Sequence, residues 1–362
     1  MSGNYSKDFS RRQFLKSAAY AAAISTIGSA AFAKKGEPEP EVKQEPLPPT
    51  RIYPAMPLAT IGAVGVKDSI DAAVVDAVMA AGGLDEIKSG QTVMIKPNMC
   101  GPAISDRYPG RITTNPEVIR SVIKLVKARG AKVYVGDRSM FDTDLAFKTS
   151  GFEKVCTEEG AIGLPWTKCE YVRFFPKKRH WSQGFRIPKI LTEVDHFINV
   201  PLLKNHGVGG ADFTCCMKSF VGVCLPDDRH QKGADNLHLK NISEKIAELN
   251  LSVKPTINIV DAIEIMVRGG PDGMSKKKSI WCKSNLILAS KDRVACDSLA
   301  LAVLKRYGSE NKVDLPYVKR SVWDQPQIYY GAELGIGQAE PKNITIRDIK
   351  APLLDEIKSN WV

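Results

Sequence analysis

Short, mainly apolar runs alternate along the chain with longer segments in which apolar residues recur every three or four positions. The runs Thr92–Ile95, Lys132–Val135 and Phe197–Leu203 have the length and composition of strands that are covered on both faces. Residues 115–129 carry apolar side chains at helical spacing and begin at the capping-box sequence Thr114–Glu117. Strand, helix and strand with short connections predict a βαβ unit with a right-handed crossover.

The same pattern repeats over the rest of the chain. The runs Thr256–Val260 and Leu286–Ala289 predict further strands. The predicted helices span 68–81, 115–129, 240–250 and 294–306. We therefore predict an α/β fold, Rossmann-like and three-layered, in which helices cover both faces of a mostly parallel sheet. This domain is expected to span residues 58–362.

Residues 1–33 have the order of an export signal. Arg11 and Arg12 precede an Ala-rich apolar stretch, and a small-residue cleavage site follows at Ala31–Ala33. The paired arginines resemble the twin-arginine signal, which marks proteins exported already folded. We expect a twin-arginine signal peptide, the twin-arginine translocase as a partner, and a periplasmic or other extracytoplasmic location. A basic amphipathic helix, or a signal retained as a membrane anchor, are the alternatives.

Residues 34–57 are rich in Pro, Glu and Lys, which predicts an extended linker. No later segment has 18 consecutive apolar residues, so we do not expect an integral membrane protein once the signal is cleaved. The net charge is +11, of which residues 1–33 contribute +3. The remaining +8 favours anionic ligands only weakly. Since no dense basic run with interleaved aromatics occurs, nucleic acid is not an expected partner.

Polar residues stand at the ends of the predicted strands. They are Lys96 and Asn98, Asp137, Lys204 and His206, Asp261, and Asp292. Ligands of open parallel sheets bind beyond the carboxyl ends of the strands, so we expect these residues to converge on one pocket. The alternative for each carboxylate or amide is a cap for the helix or turn that follows it.

The segment from Lys204 to His230 is the densest in candidate chemistry, and His238 follows it. Its Gly-rich loop, which includes Gly209 and Gly210, would let backbone amides approach an anion, with Lys204 and Lys218 as nearby charges. The loop is neither a Walker sequence nor G-x-G-x-x-G, so it does not predict a nucleotide.

Motifs of familiar hydrolases are missing. Neither G-x-S-x-G nor H-E-x-x-H occurs in the chain. Asp227–His230 is more typical of a solvated turn after Pro226 than of an acid–base pair. Asp292 is a natural N-cap for the helix that follows it, and Asp297 falls about one and a half turns later.

Eight cysteines follow the signal. They are Cys100, Cys156, Cys169, Cys215, Cys216, Cys224, Cys282 and Cys296. Three alternatives are open: buried thiols, disulfides formed in an oxidising compartment, and a soft-metal site made of His206, Cys215, Cys216, Cys224 and His230. No C-x₂-C pair occurs, so neither a zinc ribbon nor a ferredoxin motif is present in this chain. The cofactor stays unidentified, with a metal ion or an iron–sulfur cluster as candidates.

Several short polar motifs follow one another in a definite order along the chain. They are Lys96-Pro97-Asn98, Thr114-Asn115-Pro116-Glu117, Gly136-Asp137, Lys204-Asn205-His206, Met217-Lys218-Ser219 with Gly222, His238, Val260-Asp261, Gly270-Pro271-Asp272-Gly273, and Asp292-Arg293-Val294-Ala295-Cys296-Asp297. Together they resemble the bacterial and archaeal family catalogued as domain of unknown function 362, over about residues 90–310.

The resemblance implies an α/β protein and no agreed reaction. Some members of that family carry twin-arginine signals or are fused to ferredoxin-like iron–sulfur modules. The polar positions that the resemblance singles out are Lys96, Asn98, Asp137, Lys204, His206, Lys218, His238, Asp261, Asp292 and Asp297. This chain departs from the family pattern at Asn205, Ser219 and Arg293, and the pair Cys215-Cys216 is not typical of it.

We expect an exported, pre-folded enzyme that depends on a cofactor or metal, with redox chemistry favoured, and that holds an anionic small molecule in this pocket. The expected catalytic residues are His206, Lys204, Lys218 and Asp261. The expected cofactor-binding residues are Lys96, Asn98, Asp137, Gly209, Gly210 and Asp297. The expected metal ligands are His206, His238 and Asp292. The alternatives are a non-catalytic extracytoplasmic protein that binds an anionic metabolite or metal, and a scaffold for a redox partner.

Overall fold

The structure is a computed structural model of the chain. It describes residues 53–102, 110–177, 180–207, 210–230, 235–271, 273, 279–349, 351, 354–359 and 361. The predicted signal at 1–33 and the predicted linker before Tyr53 lie outside the described residues, as does Gly209. The domain boundaries and the export signal therefore stay predictions.

The secondary structure alternates between strands and helices along most of the chain. The strands are β1 Ala59–Gly65, β2 Thr92–Pro97, β3 Lys132–Val135, β4 Ile162–Gly163, β5 Tyr171–Phe174, β6 Phe185–Pro188, β7 His196–Val200, β8 Leu202–Asn205, β9 Phe213–Thr214, β10 Ile257–Arg268, β11 Ile280–Ser290 and β12 Ile344–Ile349. The α-helices are α1 Ile70–Ala80, α2 Pro116–Ala128, α3 Thr143–Thr149, α4 Phe152–Glu159, α5 Pro226–Arg229, α6 Ile242–Leu249, α7 Arg293–Glu310, α8 Pro316–Lys319, α9 Pro326–Glu333 and α10 Leu354–Ser359.

Ten of the described strands form one mixed sheet. Its order is β12-β1-β11-β10-β7-β2-β3-β4, with β8 paired to β10 and β9 paired to β8. From β10 through β7, β2 and β3 to β4 every pairing is parallel. β11 runs antiparallel to both of its neighbours, β1 and β10. β5 and β6 form a separate two-stranded antiparallel sheet.

Helices cover both faces of this sheet, which confirms the predicted α/β class and its three layers. One apolar cluster joins α1, α2 and α4 to the sheet through side chains such as Val74, Val122 and Ile95. The other cluster joins α6, α7 and α9 to the opposite face, with Leu299 and Val260 among its members. None of the described helices is long and apolar enough to cross a membrane.

Helix α2 shows how the sequence fixes one of these elements. The Asn115 side chain accepts a hydrogen bond from the Glu117 amide, and Pro116 occupies the first turn, where its missing N–H costs nothing. The Asn115 amide in turn donates to Asp261 Oδ2 at 2.7 Å. The buried Asp261 carboxylate on β10 therefore anchors the start of the helix.

The antiparallel direction of β11 corrects one sequence expectation. Ser290, at the carboxyl end of β11, pairs with Asn258 near the amino end of β10. Asp292 consequently lies at the opposite edge of the sheet from the carboxyl ends of β2 and β3. The prediction that Asp292 converges with the other polar residues was wrong, because an apolar run does not reveal strand direction.

Two further strands differ from their predicted limits. The run 256–260 is only the first part of the twelve-residue β10, so Asp261 lies inside a strand and not at its end. The run 197–203 is divided between β7 and β8 at Pro201, a residue that cannot donate to a ladder. The break redirects β8, which pairs with β10 further along and brings Lys204 and His206 toward the carboxyl edge.

Candidate functional site

A cavity of about 80 Å³ opens at the carboxyl ends of β2, β3 and β8. Asn98 follows β2, Asp137 follows β3, and Lys204 and His206 stand at the end of β8. The remaining wall comes largely from the 3₁₀ turn Lys218–Gly222 and from Arg229, His230 and His238. Six of the residues predicted from the sequence therefore line one cavity, as expected for ligand sites at the carboxyl ends of parallel strands. They are Asn98, Asp137, Lys204, His206, Lys218 and His238.

A buried ion pair forms the floor of this cavity. Lys96 Nζ lies 2.9 Å from Asp137 Oδ1 and also donates to the carbonyl of Pro97 and the hydroxyl of Ser219, each at 3.1 Å. Asp137 accepts from the Met99 amide as well. Burial lowers the pKa of Lys96 and raises that of Asp137, and their mutual attraction opposes both shifts. The pair ties the loops after β2 and β3 together, and its charges are already matched.

Gly222 makes room for this pair. A Cβ built at Gly222 would overlap Asp137 Oδ1 and would lie 3.0 Å from Lys96 Nζ. The backbone conformation itself does not demand glycine, because no left-handed φ is present there. Close approach to the ion pair is therefore the reason for this glycine, which the set of predicted site residues omitted.

Lys218 presents a buried amine to the cavity. Its side chain belongs to a residue that is only 5% exposed, and its Nζ has no hydrogen-bond acceptor among the described residues. Burial lowers the pKa of Lys218 to about 7, and the charges of Arg229 and Lys204 reinforce the effect. Near neutral pH this amine therefore exists in comparable amounts of its charged and neutral forms.

Asp297 fixes the turn that carries Lys218. Its carboxylate accepts hydrogen bonds from the backbone amides of Cys216 at 2.6 Å and Met217 at 3.1 Å, and from Gln327 Nε2 at 3.1 Å. Burial raises the pKa of Asp297 to about 6. Asp297 does not line the cavity, so its place is that of a positioning residue beneath Lys218.

Three imidazoles share the upper wall. The Nε2 atom of His206 is buried without a partner among the described residues, and its Nδ1 lies 3.5 Å from Thr214 Oγ1. His230 and His238 stack with ring centroids 6.1 Å apart. Burial lowers the pKa of all three groups, that of His238 to about 3. The three rings are therefore neutral at pH 7 and can accept a proton or a metal ion.

Two arginines that were not predicted as site residues from the sequence also line the cavity. Arg229 is 5% exposed, and its Nε and Nη2 atoms have no partner among the described residues. Arg138 donates from Nη1 to the Trp166 carbonyl at 2.8 Å, while its Nε has no described partner. Since Lys96 matches the charge of Asp137, the cavity carries an excess of positive charge.

The segment that contains Arg229 was wrongly predicted to be a solvated turn. It is the short helix α5, in which Asp228 is buried and accepts from Arg186 Nη2 at 2.8 Å and from Arg186 Nε at 3.0 Å. Arg186 lies on β6, 42 positions away in the chain. A four-residue helix has no periodicity to reveal it, and the pairing to β6 is a tertiary contact that no local pattern encodes.

Besides Lys96 and Asp297, three predicted site residues are absent from the cavity walls. Asp261 accepts from the amides of Asn115 and Ile263. Asp292 caps α7 by accepting from the Ala295 amide and also accepts from the Gln338 amide. Gly210 has a φ of +84°. Asp292 lines a different cavity, at the opposite edge of the sheet.

Potential metal ligands come together at one place among the described residues. Cys215, Cys216 and Asp297 hold their ligand atoms within 4.8 Å of one another, and the two sulfur atoms are 3.8 Å apart. All eight cysteines are described, and no disulfide joins any two of them in the structure. Burial raises the pKa of Cys215 and Cys216, and the Asp297 carboxylate already accepts two backbone amides, so buried protonated thiols account for this cluster. Within the described residues, His206 and His238 are not part of such a group.

Comparison with known proteins gives a family match and similarity to solved structures. A family model described as "Domain of unknown function (DUF362)" matches residues 93–302. No curated protein matches the chain. The structure is similar to the lactate racemase apoprotein from Thermoanaerobacterium thermosaccharolyticum, with 10% sequence identity and a TM-score of 0.37 over 84% of this chain and 86% of that chain. Because the family model spans more than half of the sequence, this chain belongs to the DUF362 family.

Proposed function

We propose that this protein is an enzyme that acts on a small anionic substrate in the cavity at the carboxyl ends of β2, β3 and β8. The observation that carries the proposal is the set of buried polar atoms without described partners on His206 and Arg229, which line this cavity together with the nearly buried side chain of Lys218. A buried polar atom without a partner costs about 1–3 kcal/mol. A ligand that supplies the missing partners recovers this free energy.

The shape and charge of the cavity indicate a carboxylate. A volume of about 80 Å³ suits a molecule of a few heavy atoms. The planar guanidinium of Arg229 offers N–H donors at Nε and Nη2, a geometry that matches the two oxygens of a carboxylate. Lys218 and Lys204 add positive charge on the same walls.

Proton transfer is the chemistry that these residues favour. An acid–base group works best when its pKa lies close to the working pH, and burial brings Lys218 to about 7. His206 stands in the same cavity as a neutral imidazole and can take or return a second proton. Lys218 would act on the substrate directly, whereas Asp297 would only hold the turn that carries it.

A panel of small carboxylates tests this proposal without knowledge of the natural substrate. Calorimetry would measure the binding of oxalate and acetate, and proton NMR in D₂O would follow exchange of the C–H protons of pyruvate and acetoacetate. We expect binding that falls at least tenfold in Arg229→Gln, and exchange that falls at least a hundredfold in Lys218→Met. Lys291→Met, which removes an exposed lysine paired with Glu86, is the matched control and should change neither.

The same experiment separates an enzyme from a binding protein. If the carboxylates bind but no C–H proton exchanges, the alternative of a non-catalytic binding protein replaces the enzyme. If none of the carboxylates binds, or if Arg229→Gln binds them as the wild type does, the proposed site is wrong.

The neutral imidazoles favour a second candidate, a metal-dependent enzyme, and redox chemistry would belong to this candidate. His206, His230 and His238 lie in one cavity with pKa values below the ordinary range. Their rings would have to move together to share an ion, because they do not form a ligand group in this structure. Elemental analysis of the full chain would test it. Stoichiometric zinc, nickel or iron that is lost in His206→Ala but kept in His196→Ala would support a metal site, and metal-free protein would argue against it.

We also propose that the protein is exported. The sequence of residues 1–33 supports this, because the paired arginines and the apolar stretch have the order of a twin-arginine signal. Cell fractionation would test it with the variant in which Arg11 and Arg12 are both replaced by Lys. We expect the wild-type chain in the extracytoplasmic fraction and the variant in the cytoplasm. Equal distribution of the two would contradict export by this route.

A further inference from the structure

We propose that Lys218 forms an imine with the carbonyl carbon of a small oxo-carboxylate, so that the substrate class is a carboxylic acid with an aldehyde or ketone group. This inference rests on the proposed function and specifies the chemistry of the same cavity. It follows from the different surroundings of the three lysines near the cavity and from the position of Arg229.

The three lysines differ in what their amines contact. Lys96 is held by the Asp137 carboxylate and by two further acceptors, so these contacts occupy its amine. Lys204 donates to the carbonyl of Ile112 at 2.8 Å. Lys218 has no acceptor among the described residues, is 5% exposed, and lies near the positive charges of Arg229 and Lys204. A desolvated lysine beside other cations is the kind that loses its proton and becomes a nucleophile.

Arg229 supplies the second half of the recognition. Its Nε and Nη2 atoms have no partner among the described residues, and its guanidinium lines the same cavity as Lys218. A carboxylate bound to this fork would place the adjacent carbon within the small space that the two residues share. The substrate then needs its carbonyl close to its carboxylate, because about 80 Å³ holds only a few heavy atoms.

The reaction is a dehydration and needs no oxidant or reductant. The lone pair of Lys218 Nζ forms a C–N bond to the carbonyl carbon, and the carbonyl π electrons move to the oxygen, which takes up a proton. Loss of that oxygen as water then leaves the C=N bond. The nitrogen gives up two protons and the departing water carries both away. His206 Nε2, which is buried in the same cavity without a described partner, can take a proton from nitrogen and return it to the leaving hydroxyl.

Reductive trapping tests this step on the full chain. The protein is incubated at pH 7 with glyoxylate and sodium cyanoborohydride, which converts an imine into a stable N-carboxymethyl-lysine, and the modified lysine is located by peptide mass spectrometry. We expect labelling of Lys218 at glyoxylate concentrations at least a hundredfold below those that label the exposed lysines. Lys218→Met should lose this early label, and Lys291→Met should keep it.

Labelling with a neutral aldehyde tests whether Arg229 recognises the carboxylate of the substrate. Acetaldehyde has the carbonyl of glyoxylate but no carboxylate, so the wild type should label at least tenfold more slowly with acetaldehyde. In Arg229→Gln this preference should disappear while Lys218 still reacts with acetaldehyde. Circular dichroism of each variant, and labelling of its surface lysines at the wild-type rate, would show that it has folded.

The failure of this inference differs from the failure of the proposed function. If oxalate binds in an Arg229-dependent way but glyoxylate labels Lys218 no faster than an exposed lysine, imine formation is wrong and the anion site stands. If oxalate does not bind and Lys218 is not labelled, both are wrong. Rapid labelling of Lys204 in place of Lys218 would also overturn the inference.

Discussion

Replacing Lys218 with Met should make the protein more stable. Methionine has nearly the length of lysine and no charge, so it fills the same space without a desolvated amine. Burial lowers the pKa of Lys218 from its ordinary value of 10.5 to about 7. The native state therefore binds fewer protons than the unfolded chain between these two values, and the lysine costs stability in that range and below it.

The size and sign of this effect depend on pH. Each pH unit between the two pKa values corresponds to about 1.4 kcal/mol, so the cost approaches about 5 kcal/mol below pH 7. It falls to about 2 kcal/mol at pH 9 and vanishes above pH 10.5. Lys218→Met should thus raise the free energy of unfolding by several kcal/mol at pH 6 and by much less at pH 9.

Urea unfolding of the full chain, followed by tryptophan fluorescence at pH 6 and pH 9, would measure this difference. Trp166 and Trp181 are both buried and should report the transition. Lys291→Met should change the free energy of unfolding by less than about 1 kcal/mol at both pH values, as expected for an exposed ion pair. A Lys218→Met variant that is less stable than the wild type, or equally stabilised at both pH values, would show that the buried amine of Lys218 does not cost stability in this way.

Three other substitutions have distinct expected outcomes. Asp137→Asn leaves Lys96 buried without its counter-charge and should lower the free energy of unfolding by about 3–5 kcal/mol in urea; a loss below 1 kcal/mol would contradict the ion pair. Asp292→Ala removes the N-cap of α7 and should cost about 1–2 kcal/mol, yet calorimetry should show unchanged oxalate binding, because Asp292 lies at the opposite edge. Gly222→Ala should weaken oxalate binding at least tenfold, since its methyl group would overlap the Asp137 carboxylate. Unchanged oxalate binding by this variant would contradict the expectation and would show that the turn moves to accommodate the methyl group.

Local patterns predicted the elements of the fold well. The helices predicted at 115–129 and 294–306 are α2 and α7 to within a few residues, and capping signals at Asn115 and Asp292 marked where they begin. Strand order and direction were not accessible in this way. Whether β11 runs parallel or antiparallel to β10 depends on pairing between segments distant in the chain, and that choice decided the place of Asp292.

The residues of the candidate site likewise fall into those that local sequence predicts and those that only tertiary packing reveals. Lys96, Asn98 and Asp137 directly end or follow strands β2 and β3, so sequence reasoning could place them together. Arg138 and Arg229 resemble ordinary surface residues in sequence and enter the cavity through tertiary packing. The sequence also does not separate Asp297, which holds a turn, from Asp137, which faces the cavity, because nothing in the local sequence distinguishes these two kinds of carboxylate.

A crystal structure of the full chain in the presence of oxalate would show whether Arg229 and Lys218 form an anion site. We expect a carboxylate bound to Arg229 Nε and Nη2, with Lys218 Nζ within hydrogen-bond distance of an oxalate oxygen. The cavity at the opposite edge, lined by Lys254 and Lys291, provides the internal comparison. Oxalate bound only at that opposite edge, or absent from the cavity of Arg229 and Lys218, would contradict an anion site formed by these two residues.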